Sequence, residues 1–182
     1  MIYKTGVRDL VSLDIRLANE ADAADVCNLV AEAFGEEGGE VSELVREMFA
    51  NEGCLLWVAQ DSEIRGVVGA SRASLEPGQH GGCWVLAPLA VATETRGLGV
   101  GGKLVDHLLL DLKAQGAFGV FVYGDPNYYG RFGFTREAAE FVSAPFSLEH
   151  PNGWSAKWLK PTETSEEKIL SVEGPLNKPD LW

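Results

Sequence analysis

An apolar run, Leu86-Ala-Pro-Leu-Ala-Val91, passes through four residues into Arg96-Gly-Leu-Gly-Val-Gly-Gly-Lys103 and then into a segment of helical periodicity. A strand that feeds a glycine-rich turn and then a helix is the unit of a layered α/β chain. Glycines at 97, 99, 101 and 102 remove Cβ atoms that would hold a ligand off the backbone, and glycine tolerates positive φ. Successive N–H groups can then converge on one anion, beside the free donors and positive dipole end of the helix expected from about 101 to 115. The turn reads as a cradle for a diphosphate.

Two common readings of such a turn meet obstacles. As Gly97-x-Gly99-x-x-Gly102 it fits a dinucleotide fingerprint, with Asp125 near the end of the next strand, but residues 126–182 contain no second strand-helix unit. As Gly97-xxxx-Gly102-Lys103 it fits a Walker A loop until Leu104, which stands where a Ser or Thr must hold magnesium.

The third reading, Arg96-x-x-Gly99-x-Gly101, agrees with its flanks. Downstream lie an apolar strand, Phe118 to Tyr123, and the segment Gly124-Asp-Pro-Asn-Tyr-Tyr-Gly-Arg-Phe-Gly-Phe134. In this combination the chain resembles the GNAT superfamily of acetyl-CoA-dependent N-acetyltransferases, in a bacterial-type subgroup, over roughly residues 14–160. The resemblance implies an α/β (α+β) GNAT fold: a mixed central sheet of about six to seven strands, with parallel, splayed fourth and fifth strands, flanked by about four helices. Residues 1–160 would form that domain, and 161–182 a C-terminal extension docked on it.

Composition agrees. With 182 residues, 46% apolar and 23% charged, the chain suits one globular domain. A net charge of −12 leaves no basic footprint for nucleic acid. No apolar run is long enough for a membrane span, and the first residues lack the core of a signal peptide, so a cytoplasmic protein is expected. Cys27, Cys54 and Cys83 are scattered without metal-ligand spacing, which suits buried reduced thiols, and His80, His107 and His150 add no metal pattern.

Along the chain, Asp14 to Ala18 reads as a strand and Asn19 as the cap of a helix with apolar positions Ala23, Val26, Cys27, Val30 and Phe34. Gly35 to Glu40 breaks that helix, and a second is expected from about Val41 to Phe49. Strands are expected at Cys54 to Gln60, Arg65 to Ala73 and Cys83 to Val91, with 74–82 a mobile connector. Phe141 to Phe146 and Trp154 to Leu159 are further strand candidates. The tail from Pro161 mixes charges and prolines with Leu170, Val172, Leu176 and Trp182, as a docked arm would.

Pro88 has no N–H for a ladder, so a bulge there would part the strand from its neighbour and free the backbone groups of Leu89, Ala90 and Val91. The resemblance supplies the ligand for them: the pantetheine arm of acetyl-CoA, with Arg96, Gly97, Leu98, Gly99, Val100, Gly101, Gly102 and Lys103 around the diphosphate and no metal. Arg131 is a further nearby cation. A backbone N–H near Val91 would bond the thioester oxygen. Tyr129 matches the family tyrosine that protonates the leaving sulfur, and Tyr128 reads as packing. Glu36, Glu37, Glu40, Glu94 and His80 are candidates for the base that deprotonates the amine. The acceptor would be a small-molecule or peptide amine bound among 35–40, 74–82 and the C-terminal third. Homodimers are common among proteins of this resemblance. The alternative function is an acyl-CoA-binding sensor with weak catalysis.

Overall fold

The computed structural model describes residues 13–76, 79–162 and 166–182, with the side chains of 79–81 also outside the description. Twelve helices and strands position the site: β1 (Asp14–Leu17), α1 (Ala23–Phe34), α2 (Gly38–Phe49), β2 (Cys54–Gln60), β3 (Ile64–Glu76), β4 (Gln79–Val91), α3 (Val100–Ala114), β5 (Gly119–Tyr123), α4 (Pro126–Tyr129), β6 (Val142–Ser143), β7 (Trp154–Trp158) and β8 (Lys168–Val172). They build the expected mixed sheet, which has eight strands among the described residues. Six follow the order β1-β2-β3-β4-β5-β7, β8 pairs with β3, and β6 pairs with β8.

Two cores sandwich the sheet because successive strand residues face opposite sides. Leu56, Val58, Val67 and Phe121 pack with Val26, Val30, Val45 and Met48 of α1 and α2. Trp57, Ala59, Val68, Val120 and Val122 pack with Leu104, Val105, Leu108 and Leu112 of α3. All three cysteines are free and buried.

The first helix is entered through a 3-10 turn, Glu20–Asp22, which Asn19 caps. Asn19 accepts from the Ala21 N–H at 3.0 Å and Asp22 accepts from the Asn19 N–H at 2.8 Å, a reciprocal capping box. Both Asp22 oxygens also accept from Arg16 of β1, each at 2.8 Å, so the helix entry is tied to the sheet edge.

Three expectations require correction. The second helix starts at Gly38, three residues before the expected Val41, and Gly38 packs directly on the Ala31 backbone of α1, where a side chain would not fit. Most of 74–82 is strand and not connector: Ser74 to Glu76 continue β3 and pair with β8, while β4 begins at Gln79, and 77–78 lie outside the described residues. Phe141 to Phe146 yields only the two-residue strand β6. In the tail, Leu170 and Val172 face inward from a paired strand, β8, which prolongs the line of β2 along β3.

The decisive feature for the site is where β4 leaves β5. Their parallel pairing covers only Cys83↔Gly119, Trp84↔Val120 and Val85↔Phe121. Beyond Val85 the strands diverge. Opposite β3, the β4 register shifts between Ala70↔Leu86 and Val68↔Leu89, leaving Ala87 and Pro88 as a bulge against Gly69. A Cβ on Gly69 would overlap the Ala87 carbonyl and approach Met48 Cε to 2.8 Å, so only glycine accommodates this bulge.

Candidate active site

Downstream of the bulge, β4 keeps pairing with β3 through Val67↔Ala90 and Gly66↔Val91, and the Ala92 N–H reaches the Arg65 carbonyl at 2.9 Å. Backbone groups alternate sides along a strand. Ala90 therefore spends its N–H and C=O on β3, whereas those of Leu89 and Val91 point the other way, into the gap that β5 has vacated. The expectation that all three residues are free is corrected for Ala90, whose side chain is also buried.

The turn that follows is built from two left-handed glycines. Gly97 has φ 76° and Gly99 has φ 81°, and around the Cα of each there is open space. Gly101 and Gly102 have no positive φ; they lie in the first turn of α3. The small size of Gly101 serves packing instead, since a Cβ there would come within 2.6 Å of the Tyr128 hydroxyl, whereas one on Gly102 would make only an ordinary contact with the Phe132 ring at 3.6 Å. No side chain caps α3, and its first described 5→1 bond is from the Lys103 N–H to the Gly99 carbonyl at 3.1 Å. The N–H groups of Val100, Gly101 and Gly102 thus stand at an open helix N-terminus.

A cavity of about 410 Å³ sits on this turn, lined by Val91, Arg96, the glycines at 97, 99, 101 and 102, Val100 and, from across, Tyr128 and Arg131. Leu98 and Lys103 do not line it, and both are exposed. Arg96 lies at the rim with Nε 3.4 Å from the Val91 carbonyl and Nη2 3.2 Å from the Ala33 carbonyl, so it links the turn to the end of α1. The Arg131 guanidinium lies over the Tyr128 ring at 4.5 Å.

A second cavity, of about 610 Å³, opens where β4 and β5 part. Its floor is Leu86 to Leu89 and its β5 side is Tyr123, Gly124, Asp125 and Tyr129. Tyr129 and Tyr128 stand edge to face, 5.1 Å between centroids, and divide the two cavities. The Tyr129 ring fits because residue 124 is glycine: a Cβ there would lie 2.7 Å from the ring. Burial, reinforced by neighbouring Tyr128, pushes the Tyr129 phenol well above the ordinary tyrosine range, so it carries its proton at neutral pH. No described residue hydrogen-bonds that hydroxyl.

Among the base candidates, Glu37 and Glu40 line the second cavity. Glu94 lies away from it, in a small hollow with Glu32, Glu63 and Arg65, and Glu36 lines neither cavity. The His80 side chain lies outside the described residues. The described residues of 74–82 sit at the far end of β4 from Val91, on the order of 25 Å away at the rise of a strand, and none of them lines the cavity. The opposite wall comes instead from Leu176, Asp180, Leu181 and Trp182. Apolar residues in the polar tail hinted at this docking, but not at its place. Tyr128 both packs and lines the turn cavity, which its reading as packing alone missed.

No cluster of three or more metal-ligating side chains occurs among the described residues, and no described helix is long and apolar enough to cross a membrane. The chain is 29% identical over 163 residues to an uncharacterized N-acetyltransferase of Escherichia coli, YjhQ, covering 85% of this chain and 87% of that protein. Its fold matches the E. coli GNAT family N-acetyltransferase YhbS, solved in complex with CoA, with a TM-score of 0.80, 23% identity and coverage of 91% of this chain and 92% of that one. It also matches a GNAT family acetyltransferase from Brucella melitensis, solved with acetyl-CoA, with a TM-score of 0.70, 24% identity and coverage of 87% and 95%. The acetyltransferase (GNAT) domain model spans residues 14–136, from β1 through the glycine turn and both tyrosines, and on that match the chain belongs to the GNAT acetyltransferase family.

Proposed function

We propose that the protein transfers the acetyl group of acetyl-CoA directly to a primary amine. The observation that carries this reading is the continuity of backbone groups that the sheet leaves unpaired: Leu89 and the Val91 N–H face the β4–β5 gap, the Val91 carbonyl being taken by Arg96, and the strand runs on into the open N–H groups at the start of α3. An extended amide-bearing arm with a diphosphate at one end matches that series of donors and acceptors, and Arg96 and Arg131 add positive charge beside the turn. The CoA and acetyl-CoA bound by the two structural neighbours support the same choice.

Bound acetyl-CoA supplies a thioester at the parting of the strands. The Val91 N–H is aimed at the charge that develops on the acyl oxygen, a type of preorganised donor worth about 2.7–4 kcal/mol in other acyl-transfer sites. Tyr129 holds a proton beside the gap and delivers it to the departing sulfur. Glu37 or Glu40, directly or through water, takes the proton that the attacking ammonium must lose. The C–N bond forms as the C–S bond breaks, with no metal and no covalent enzyme intermediate.

The test is calorimetry with acetyl-CoA followed by an amine panel monitored by thiol release. Cofactor binding with amine-dependent release supports the acetyltransferase; binding without release in any amine would reduce the protein to an acyl-CoA-binding module.

A further inference from the structure

We propose that Arg96 is a positioning residue that ties the cofactor turn to the wall of the acceptor chamber, and that acetyl-CoA loosens this tie by competing for the atoms that make it. This rests on the reading of the glycine turn as the diphosphate site and of the larger cavity as the acceptor chamber.

The near end of the tie is fixed to the sheet. The Ala92 N–H donates to the Arg65 carbonyl at 2.9 Å, and the Thr95 N–H and hydroxyl donate to the Ala92 carbonyl at 2.9 Å and 3.0 Å. Residue 96 thus leaves a short 3-10 turn, Thr93–Thr95, that is anchored on β3. From there one edge of the Arg96 guanidinium bridges two carbonyls, Nε to Val91 at 3.4 Å and Nη2 to Ala33 at 3.2 Å. Among the described residues no other hydrogen bond joins residues 92–103 to α1. Arg96 is exposed, so a change of partner costs it little desolvation.

The far end of the tie bears on the acceptor side. Ala33 precedes Phe34, which lines the chamber, and Gly35, which ends α1 with φ 61° and open space around it. Val41 and Leu44 of α2 continue the same wall. Gly38 at the start of α2 packs on the Ala31 backbone, so the end of α1 and the start of α2 are locked to each other. A pull on the Ala33 carbonyl therefore reaches the whole corner.

Acetyl-CoA needs both of the groups that Arg96 joins. Nε and Nη2 form a fork of the kind that grips a phosphate through two parallel bonds, and Arg96 lines the turn cavity beside Gly97 and Gly99. An extended amide arm lying along β4 needs strand carbonyls to accept from its N–H groups, and the Val91 carbonyl is turned to that side. Bonds from a guanidinium to an ionised phosphate are roughly twice as strong as those between neutral groups, so the exchange favours the ligand. The Ala33 carbonyl then loses its side-chain partner and the α1–α2 corner loosens. Binding linkage is reciprocal, so an acceptor seated against Phe34 and Val41 in turn changes the affinity for acetyl-CoA.

The test is hydrogen–deuterium exchange on the full chain, with and without saturating acetyl-CoA, in the wild type and in Arg96→Lys. Lysine keeps a positive charge for the phosphate, but its single nitrogen cannot bridge the two carbonyls as the guanidinium does. In the wild type, acetyl-CoA should slow exchange at residues 97–103 and speed it at 33–41 by at least about fivefold. In Arg96→Lys, residues 33–41 should exchange faster than in the wild type before any ligand is added, and acetyl-CoA should change them by less than about twofold. A purely structural role for Arg96 would not give ligand effects of opposite sign in the two segments. Unchanged or slowed exchange at 33–41 while 97–103 is protected overturns the tie and leaves the acetyl-CoA reading intact. A wild-type response at 33–41 in Arg96→Lys also overturns it. If Arg96→Lys does not bind acetyl-CoA, its ligand-free exchange at 33–41 decides: faster than wild type supports the tie, and equal rejects it. Failure of the wild type to bind acetyl-CoA in calorimetry overturns the diphosphate reading, and the tie with it.

Discussion

The rings of Tyr128 and Tyr129 stand nearly perpendicular, 81° apart, and each faces a different cavity: Tyr128 the glycine turn, Tyr129 the gap between β4 and β5. Adjacent residues in a single helical turn diverge by roughly 100° about its axis, so four residues of α4 suffice to present one ring to each chamber. The division assigns them different work. Tyr129→Phe should lower kcat by about 10²-fold or more with acetyl-CoA affinity nearly unchanged. Tyr128→Ala should chiefly raise the KM for acetyl-CoA. Steady-state kinetics on the two variants separates these outcomes, and an unchanged kcat in the phenylalanine variant would remove the role of the hydroxyl.

Burial raises the Tyr129 pKa, so the phenol remains protonated through and beyond the ordinary tyrosine value of about 10. The kcat profile should therefore show no falling alkaline limb due to this acid up to about pH 10. A descending limb that vanishes in Tyr129→Phe would contradict that placement.

Gly99 caps α3 with φ 81° and open space around it. A side chain there is strained by its backbone, and glutamate adds like charge against a phosphate. Gly99→Glu should abolish acetyl-CoA binding by calorimetry while the thermal transition remains cooperative. Normal affinity would show that the turn is not the diphosphate site.

Gly69 faces the Ala87–Pro88 bulge with no room for a methyl group. Gly69→Ala should cost about 1–3 kcal/mol by overpacking, read from denaturant midpoints. Because relief requires the bulge to move, the same variant should also raise the KM for acetyl-CoA.

The Arg16 ion pair, with help from the Asn19 N–H, holds the Asp22 carboxyl below its usual range. Folding stability from this group is fully present above the unfolded carboxylate pKa of about 3.9 and is lost as pH falls through the depressed folded value. Asp22→Asn should lower stability at neutral pH and flatten the acid limb of the stability curve below about pH 4, as acid titration of the thermal midpoint would reveal.

Sequence alone determined the elements with strong local causes. The Asn19 cap, the apolar stripe of α3, the glycine turn and the alternating strands each follow from interactions within a few residues, where propensity and periodicity act directly. The pairing of Arg96-x-x-Gly99-x-Gly101 with the Tyr129 segment was legible in another way, through its resemblance to the GNAT family. What tertiary structure alone decided were matters of which side and which neighbour. Alternation along β4 made Leu89 and Val91 available but not Ala90, a fact fixed by pairing to β3. Local pattern read 74–82 as a loop, whereas β8, arriving from almost a hundred residues away, holds its first part as strand. Trp182 and Asp180 face Glu37 and Glu40 across one chamber because the tail docks beside α2 and below β4, and no short-range signal specifies contacts between segments so distant in sequence.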